Sequence, residues 1–356
     1  MRAVLTFSAV SLLLVGLFAS CSSDSKSSGG AAGGNATGGT AASAPQELEL
    51  LNVSYDPTRE LWRDLNDAFI PKYQQETGTT LTINQSHGGS STQARAVIDG
   101  LEADVVTLAM WPDTNAIHEM GLIADNWEER LPDRSLPYYS TIVFVVRKGN
   151  PQNVKDWSDL VDDANPLEIV TPNPKTSGNG KLSFLAAWGY VVTNGGSEEA
   201  AQEFVTKLYR RTPVLDSGAR GSTTTFVQKK IGDVHLAWEN EAHLEVAEAS
   251  GELELIYPSL SIRAEPHVTV VDGNVDRRGT RAAADAYLKF LYTDQGQEII
   301  GRHHYRPNNE EIGAKFTDTL PPLKLFSITD IAPRWNEANA KFFSEGALFD
   351  QIYQPR

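Results

Sequence analysis

Short apolar runs of strand length alternate with helix-length segments from residue 50 onward, and this alternation restricts the fold more than any other feature. Strands are expected at 50–55, 81–84, 103–110, 140–147, 167–171, 233–238, 253–257 and 267–271. Between the first two, 57–76 carries Leu61, Leu65, Phe69 and Tyr73 on one helical stripe. Pro71 is expected to kink or divide that helix, and Gly78 to close it. Strands interleaved with helices call for parallel sheets covered by helices, an α/β architecture. Roughly 310 residues take part, enough for two domains or one large one. No Pro/Gly/Ser linker divides them, and no internal repeat is visible.

Four strand-to-helix junctions share one construction. At Asp216-Ser217-Gly218-Ala219 the apolar periodicity lapses, Gly218 permits a tight backbone path, and Phe226, Val227 and Ile231 then recur at helical spacing. The next strand delivers Trp238 to its carboxyl end, where open α/β sheets bind ligands. Gly88-Gly89-Ser90 precedes a helix with Ala94, Val97 and Ile98 on one face and Gly100 as its stop. Pro172 and Pro174 end a strand, and Ser177-Gly178-Asn179-Gly180 leads into a helix carrying Leu182, Leu185 and Ala186. At Tyr55-Asp56-Pro57, Asp56 suits the N-cap and Pro57 the first helical position. Helix starts rich in glycine and hydroxyl residues present unpaired N–H groups and the positive end of the dipole, so they suit an oxyanion.

The segments LLNVSYDPTREL, QSHGGS with QARAVIDGLEADVVTLA, STIVFVVRKGNP, TPNPKTSG with LAAWGY, LDSGARGSTTTFV with IGDVHLAWENEA, and YRPNN with LKLF span most of 48–353. In these motifs the chain resembles the periplasmic sulfate-binding proteins that feed bacterial ATP-driven sulfate and thiosulfate importers. The resemblance implies a two-lobed, venus-flytrap periplasmic-binding-protein fold, type II-like, with two parallel or mixed sheets. Lobe 1 would comprise 47–138 and 263–325, lobe 2 139–262, and 326–356 would pack along the lobes. Two crossing strands would form the hinge. It further implies a dianion held without a salt bridge by Asp56, Ser90, Ser177, Gly178, Asn179, Ala219 and Trp238. Backbone N–H groups, the two serine hydroxyls and the indole would be the donors, with Asp56 acting through its N–H. Asn179 stands where that family usually has glycine, and Lys181-Leu182-Ser183-Phe184 departs from its usual aromatic pair. The implied function is capture of sulfate, without catalysis or cofactor, by a monomer that delivers it to an ABC-type permease. Thiosulfate or a molybdate-like oxyanion is the alternative ligand.

Met1-Arg2 and the apolar run 12–19 read as a secretory signal peptide over 1–20. Phe18-Ala19-Ser20-Cys21 looks like a lipobox with Phe18 in place of leucine, so Cys21 is expected to carry lipid and 21–46, rich in Ser, Gly and Ala, to act as a flexible tether. The protein would then be exported, periplasmic or at the cell surface, touching the membrane only through its anchor. A single cysteine leaves neither an intramolecular disulfide nor a cysteine-cluster metal site.

The net charge of −15 excludes a broad basic surface for nucleic acid but not a local, buried anion site. A periplasmic sulfuryl- or phosphoryl-transfer enzyme is the reading from a different class. It needs a nucleophile or a metal cluster, and Gly178-Asn179-Gly180-Lys181 lacks the spacing and hydroxyl of a P-loop. His303-His304 are adjacent rather than one turn apart, so no metal pair is expected. Arg220 is expected to support its loop, His87 to fix its own by a hydrogen bond, and Glu239 and Glu241 to act as capping or hinge groups.

Overall fold

The computed structural model describes residues 47–353, so the signal peptide, Cys21 and the tether expected from the sequence lie outside the described residues. Two mixed sheets organise them. The first, ordered β11-β3-β1-β2, contains β1 (Glu47–Tyr55), β2 (Thr80–Gly88), β3 (Val105–Leu108) and β11 (His267–Val270). The second, ordered β7-β6-β8-β5-β9, contains β5 (Ile142–Arg147), β6 (Ile169–Pro172), β7 (Leu215–Asp216), β8 (Val234–Trp238) and β9 (Leu253–Ile256). Short pairs complete the set: β4 (Tyr138–Tyr139) with β12 (Arg306–Pro307), and β10 (Ser261–Ile262) with β13 (Leu325–Phe326).

Each expected strand is present. The alternation of strands and helices calls for parallel pairs, and the sheets are mixed, as the resemblance implies: β11 runs antiparallel to β3, and β5 antiparallel to both β8 and β9. A strand buried on both faces reads as the same apolar run in either direction, so its sequence does not encode its polarity. β5 shows such burial, with Ile142, Phe144 and Val146 packed in one cluster and Val143 and Val145 in another.

Helix α1 (Arg59–Thr77) runs unbroken through Pro71. Leu61, Leu65, Phe69 and Tyr73 are buried, whereas Pro71 and Asp67 are exposed, so the carbonyl that loses its partner to the proline faces water. Gly78, at φ 71°, closes the helix by donating its N–H to Gln74 O.

The chain passes between the sheets twice, after β4 and before β11. Reciprocal bonds between Ser140 and Ala264, at 3.0 and 2.9 Å, tie the two passes together. Beyond β13, Phe342, Phe343 and Phe349 pack around Phe184 in the core beside the second sheet.

Candidate anion site

The four junctions lie at the carboxyl ends of parallel strands. β1 leads through a single 3-10 turn (Asp56–Thr58) into α1, and β2 leads into α2 (Ser90–Ile98). β3 is followed by α3 (Trp111–Glu119). In the second sheet, β6 leads into α4 (Gly178–Thr193), β7 into α5 (Ala219–Thr223), and β8 into α6 (Glu239–Glu248). The expected helix after Gly218 continues beyond α5 as a π-helical turn, Thr224–Gln228, which carries the buried Phe226.

Junctions from the two sheets touch, and glycine makes that possible. A Cβ on Gly89 would stand 2.5 Å from Thr176 O and 3.2 Å from Ser217 O; one on Gly178 would stand 2.5 Å from the Cβ of Ala109. A Cβ on Gly218 would lie 2.4 Å from Asp56 Oδ2. Asp56, Ser90, Ser177, Gly178, Asn179 and Ala219 are thus brought into one neighbourhood. Trp238 adjoins it through Tyr55, with ring centroids 5.3 Å apart and the rings tilted by 39°.

What each residue offers differs from its sequence reading in two cases. Ser90 Oγ donates to Asp113 Oδ2 at 2.6 Å and accepts from Ala109 N at 3.0 Å. Its only proton is committed, so the expected hydroxyl is not free to donate to a ligand. Asp56 does not cap: Tyr55 is the N-cap, and Asp56 Oδ1 takes Arg59 at 2.7 Å. Ser177 is a true N-cap whose Oγ accepts from Gly180 N at 3.4 Å, which leaves its hydroxyl proton free to donate. The first-turn N–H groups of Gly178, Asn179 and Ala219 have no intrahelical acceptor. Trp238 is fully buried, and its Nε1 has no partner. A buried indole donor without an acceptor is costly to leave empty, so it marks where an acceptor belongs.

The cations near the site are already paired. Arg220 reaches Glu60 at 3.1 Å and Glu241 at 3.0 Å. Burial pushes the Glu241 carboxyl up to about 8 while Arg220 pulls it back. Lys181 Nζ donates to Ser91 Oγ at 3.0 Å and lies 3.5 Å from Asp113 Oδ1, with both side chains buried. Sequence reasoning missed this Lys181–Asp113–Ser90–Ser91 group, since its members come from two sheets and share no motif. Glu239 forms a buried ion pair, in which Arg306 grips it through two 2.7 Å bonds.

His87 differs from its expectation. Its Nε2 is buried without a partner, while its carbonyl accepts from Arg59 at 3.3 Å. Burial and then the Arg59 charge push its imidazole down to about 4, so it is neutral at physiological pH. His303 binds Asp64 at 2.8 Å, while His304 stacks on His243 at 4.1 Å with 15° between the rings. Among the described residues no group of three or more His, Cys, Asp or Glu could hold a metal.

The stacked histidines give a pH prediction. Burial, then the facing His304, pushes His243 down to about 4; the carbonyl of Thr319 opposes and Arg306 assists. Burial and then His303 lower His304, and burial pushes His267 down to about 4. Folded values below the unfolded value of about 6.5 mean that the unfolded chain takes up protons first as pH falls. The stability these histidines contribute is therefore fully present above about pH 6.5 and is lost as pH falls toward 4, while Glu241, raised to about 8, acts in the opposite sense over the same range. Thermal melting of the parent and of His304→Phe over that range isolates the pair: the variant, which keeps a stacked ring without a titratable group, should lose less stability as pH falls. An equal slope in the variant would remove this pair as the cause.

Residues 62–306 match the family described as bacterial extracellular solute-binding protein. The chain is 51% identical over 309 residues to the sulfate-binding protein of Salmonella typhimurium, covering 86% of this chain and 93% of that one. It is 49% identical to the thiosulfate-binding protein of Pseudomonas aeruginosa, covering 88% and 94%. The structure of the sulfate-binding protein SubI from Mycobacterium tuberculosis superposes with a TM-score of 0.74 at 29% identity, over 83% of this chain and 99% of that one.

Proposed function

Because the chain belongs to the bacterial extracellular solute-binding proteins, we propose that it captures sulfate between two lobes and delivers it to an ABC-type permease. It is a binding protein and not an enzyme, in keeping with relatives named for binding, and it works outside the cytoplasm. The observation that supports the ligand assignment is the Trp238 indole, buried without an acceptor at the carboxyl end of β8 and against Tyr55 of the β1 junction.

In this reading the anion is held by the N–H groups of Asp56, Ser90, Gly178, Asn179 and Ala219, the Ser177 hydroxyl and the Trp238 indole. Charge-assisted hydrogen bonds are each worth about 1.5–3 kcal/mol. Dehydration of the dianion and lobe closure offset most of their sum. A remainder of about 8 kcal/mol corresponds to roughly micromolar affinity. The lobe limits 47–138 with 263–325, and 139–262, belong to the same proposal, as does the hinge at the Ser140–Ala264 crossing. Lipid attachment at Cys21 and a monomeric state complete it.

Isothermal titration with a panel of oxyanions tests the reading; failure to bind any tetrahedral dianion would sink it. Thiosulfate is the second reading, favoured by the 49% identity to a thiosulfate-binding protein. Trp238→Phe keeps the ring and removes the donor, so it should weaken sulfate by about 10–100-fold, the range for losing one bond to a charged partner. An unchanged titration would take Trp238 out of the site.

A further inference from the structure

We infer that the side-chain amide of Asn179 is an additional donor to the bound dianion, and that Ser183 fixes which end of the amide faces it. The pair would thereby set discrimination against protonated oxyanions. This rests on the sulfate reading above and adds a side-chain role to a residue so far assigned only through its backbone.

Asn179 is the second residue of α4 and is 2% exposed. Its Oδ1 accepts from Ser183 Oγ at 3.0 Å, and its Nδ2 is buried without a partner. Of the seven residues assigned to the site, only Asn179 and Trp238 carry a side-chain donor buried without an acceptor. The signature that assigns the indole therefore assigns the amide as well. Ser183 is one turn further along α4 and is 1% exposed. An amide oxygen turned toward it leaves the nitrogen arm on the side of the helix start. There the first-turn N–H groups collect, and Gly178 is packed close to Ser90, to whose Cβ an added Cβ would come within 3.4 Å.

The chemistry gives the orientation a consequence. A primary amide offers either donors or an acceptor by a half-turn about its last bond. With Oδ1 held by Ser183, it offers donors alone, which suits four unprotonated oxygens. Freed from Ser183, it can rotate and accept the O–H that phosphate retains at neutral pH. Ser183 is thus a positioning residue, acting through Asn179.

The test is isothermal titration of the full chain with sodium sulfate and with sodium phosphate at pH 7. Asn179→Ala keeps the backbone N–H and should weaken sulfate about tenfold, as for loss of one charge-assisted bond. Ser183→Ala should raise the phosphate-to-sulfate affinity ratio by about tenfold or more, a change that loosened packing alone would not produce. Asn179→Asp is isosteric, so it tests the point even where a truncated variant folds poorly. A carboxylate against the dianion should lower sulfate affinity by about a hundredfold or more. Sulfate affinity unchanged in Asn179→Ala or Asn179→Asp would overturn the donor role, and an unchanged ratio in Ser183→Ala would overturn the positioning role. A parent protein that binds no sulfate would instead bring down the underlying reading, so the two failures are distinct.

Discussion

Gly178→Ala is expected to lower sulfate affinity by about a hundredfold or more while leaving the ligand-free protein as stable as its parent. The added Cβ would stand 2.5 Å from the Cβ of Ala109 and 3.4 Å from that of Ser90, both on the first-sheet side of the cleft. Overpacking of this kind costs typically 1–3 kcal/mol when the neighbours must yield. Here the clash is relieved if the two sides part by about an ångström, so the cost falls on closure and not on folding. Parting also stretches several donor contacts at once, and hydrogen bonds weaken steeply with distance and angle, which raises the loss. Within its own helix, alanine at the first position of α4 improves on glycine. Gly89→Ala should behave alike, since its Cβ would meet Thr176 O at 2.5 Å across the cleft. Gly273→Ala serves as the control, as its Cβ would find only Leu122 within 4 Å, the nearest atom at 3.6 Å. Titration with sulfate and melting without it separate the effects. A variant with parental affinity would mean that the two sides do not close on each other at Gly178. A lowered ligand-free melting temperature would mean that the contact belongs to folding.

The same glycine shows how far the sequence carries. Gly178 reads there as flexible backbone beside a helix start, which is correct locally but silent about what lies across from it. That Ala109 sits opposite depends on the placement of two sheets that share no local signal. Trp238 stands out as a candidate in the sequence because a strand's carboxyl end is a position with known consequences in α/β folds. The partner of the Ser90 hydroxyl does not, because Asp113 lies 23 residues on in α3. Asp56 and Pro57 were read as cap and first residue, and the structure shifts the cap back to Tyr55. Pro71 looked like a breaker because propensity acts on the isolated helix. Tertiary burial of Trp62, Leu65 and Phe69 on the opposite face holds α1 together through it. Local rules thus single out candidate donors, and only packing says which of their hydrogens are already spent.

The accounting of spent hydrogens leads to selectivity: the protein is expected to prefer sulfate over phosphate by about a thousandfold. Sulfate carries no proton at neutral pH, whereas phosphate keeps at least one, and a buried O–H needs an acceptor. Each contact proposed for the anion is a donor. The carboxylates within reach are engaged elsewhere: Asp113 takes the hydroxyls of Ser90 and Ser91 at 2.6 and 2.8 Å, and Asp56 Oδ1 takes Arg59 at 2.7 Å. Asp56 Oδ2 lies against Gly218. A phosphate O–H in this cleft would therefore face other hydrogens, and an unsatisfied buried polar group costs several kcal/mol. About 4 kcal/mol corresponds to the thousandfold stated. Lower pH should not rescue phosphate, because it then carries a second proton, and His87 stays neutral down to about 4. Sulfate and phosphate titrations between about pH 5.5 and 8 check this directly. Phosphate within about tenfold of sulfate, or phosphate binding that strengthens as pH falls, would mean that Asp56 or Asp113 turns into the cleft and takes part as a proton acceptor.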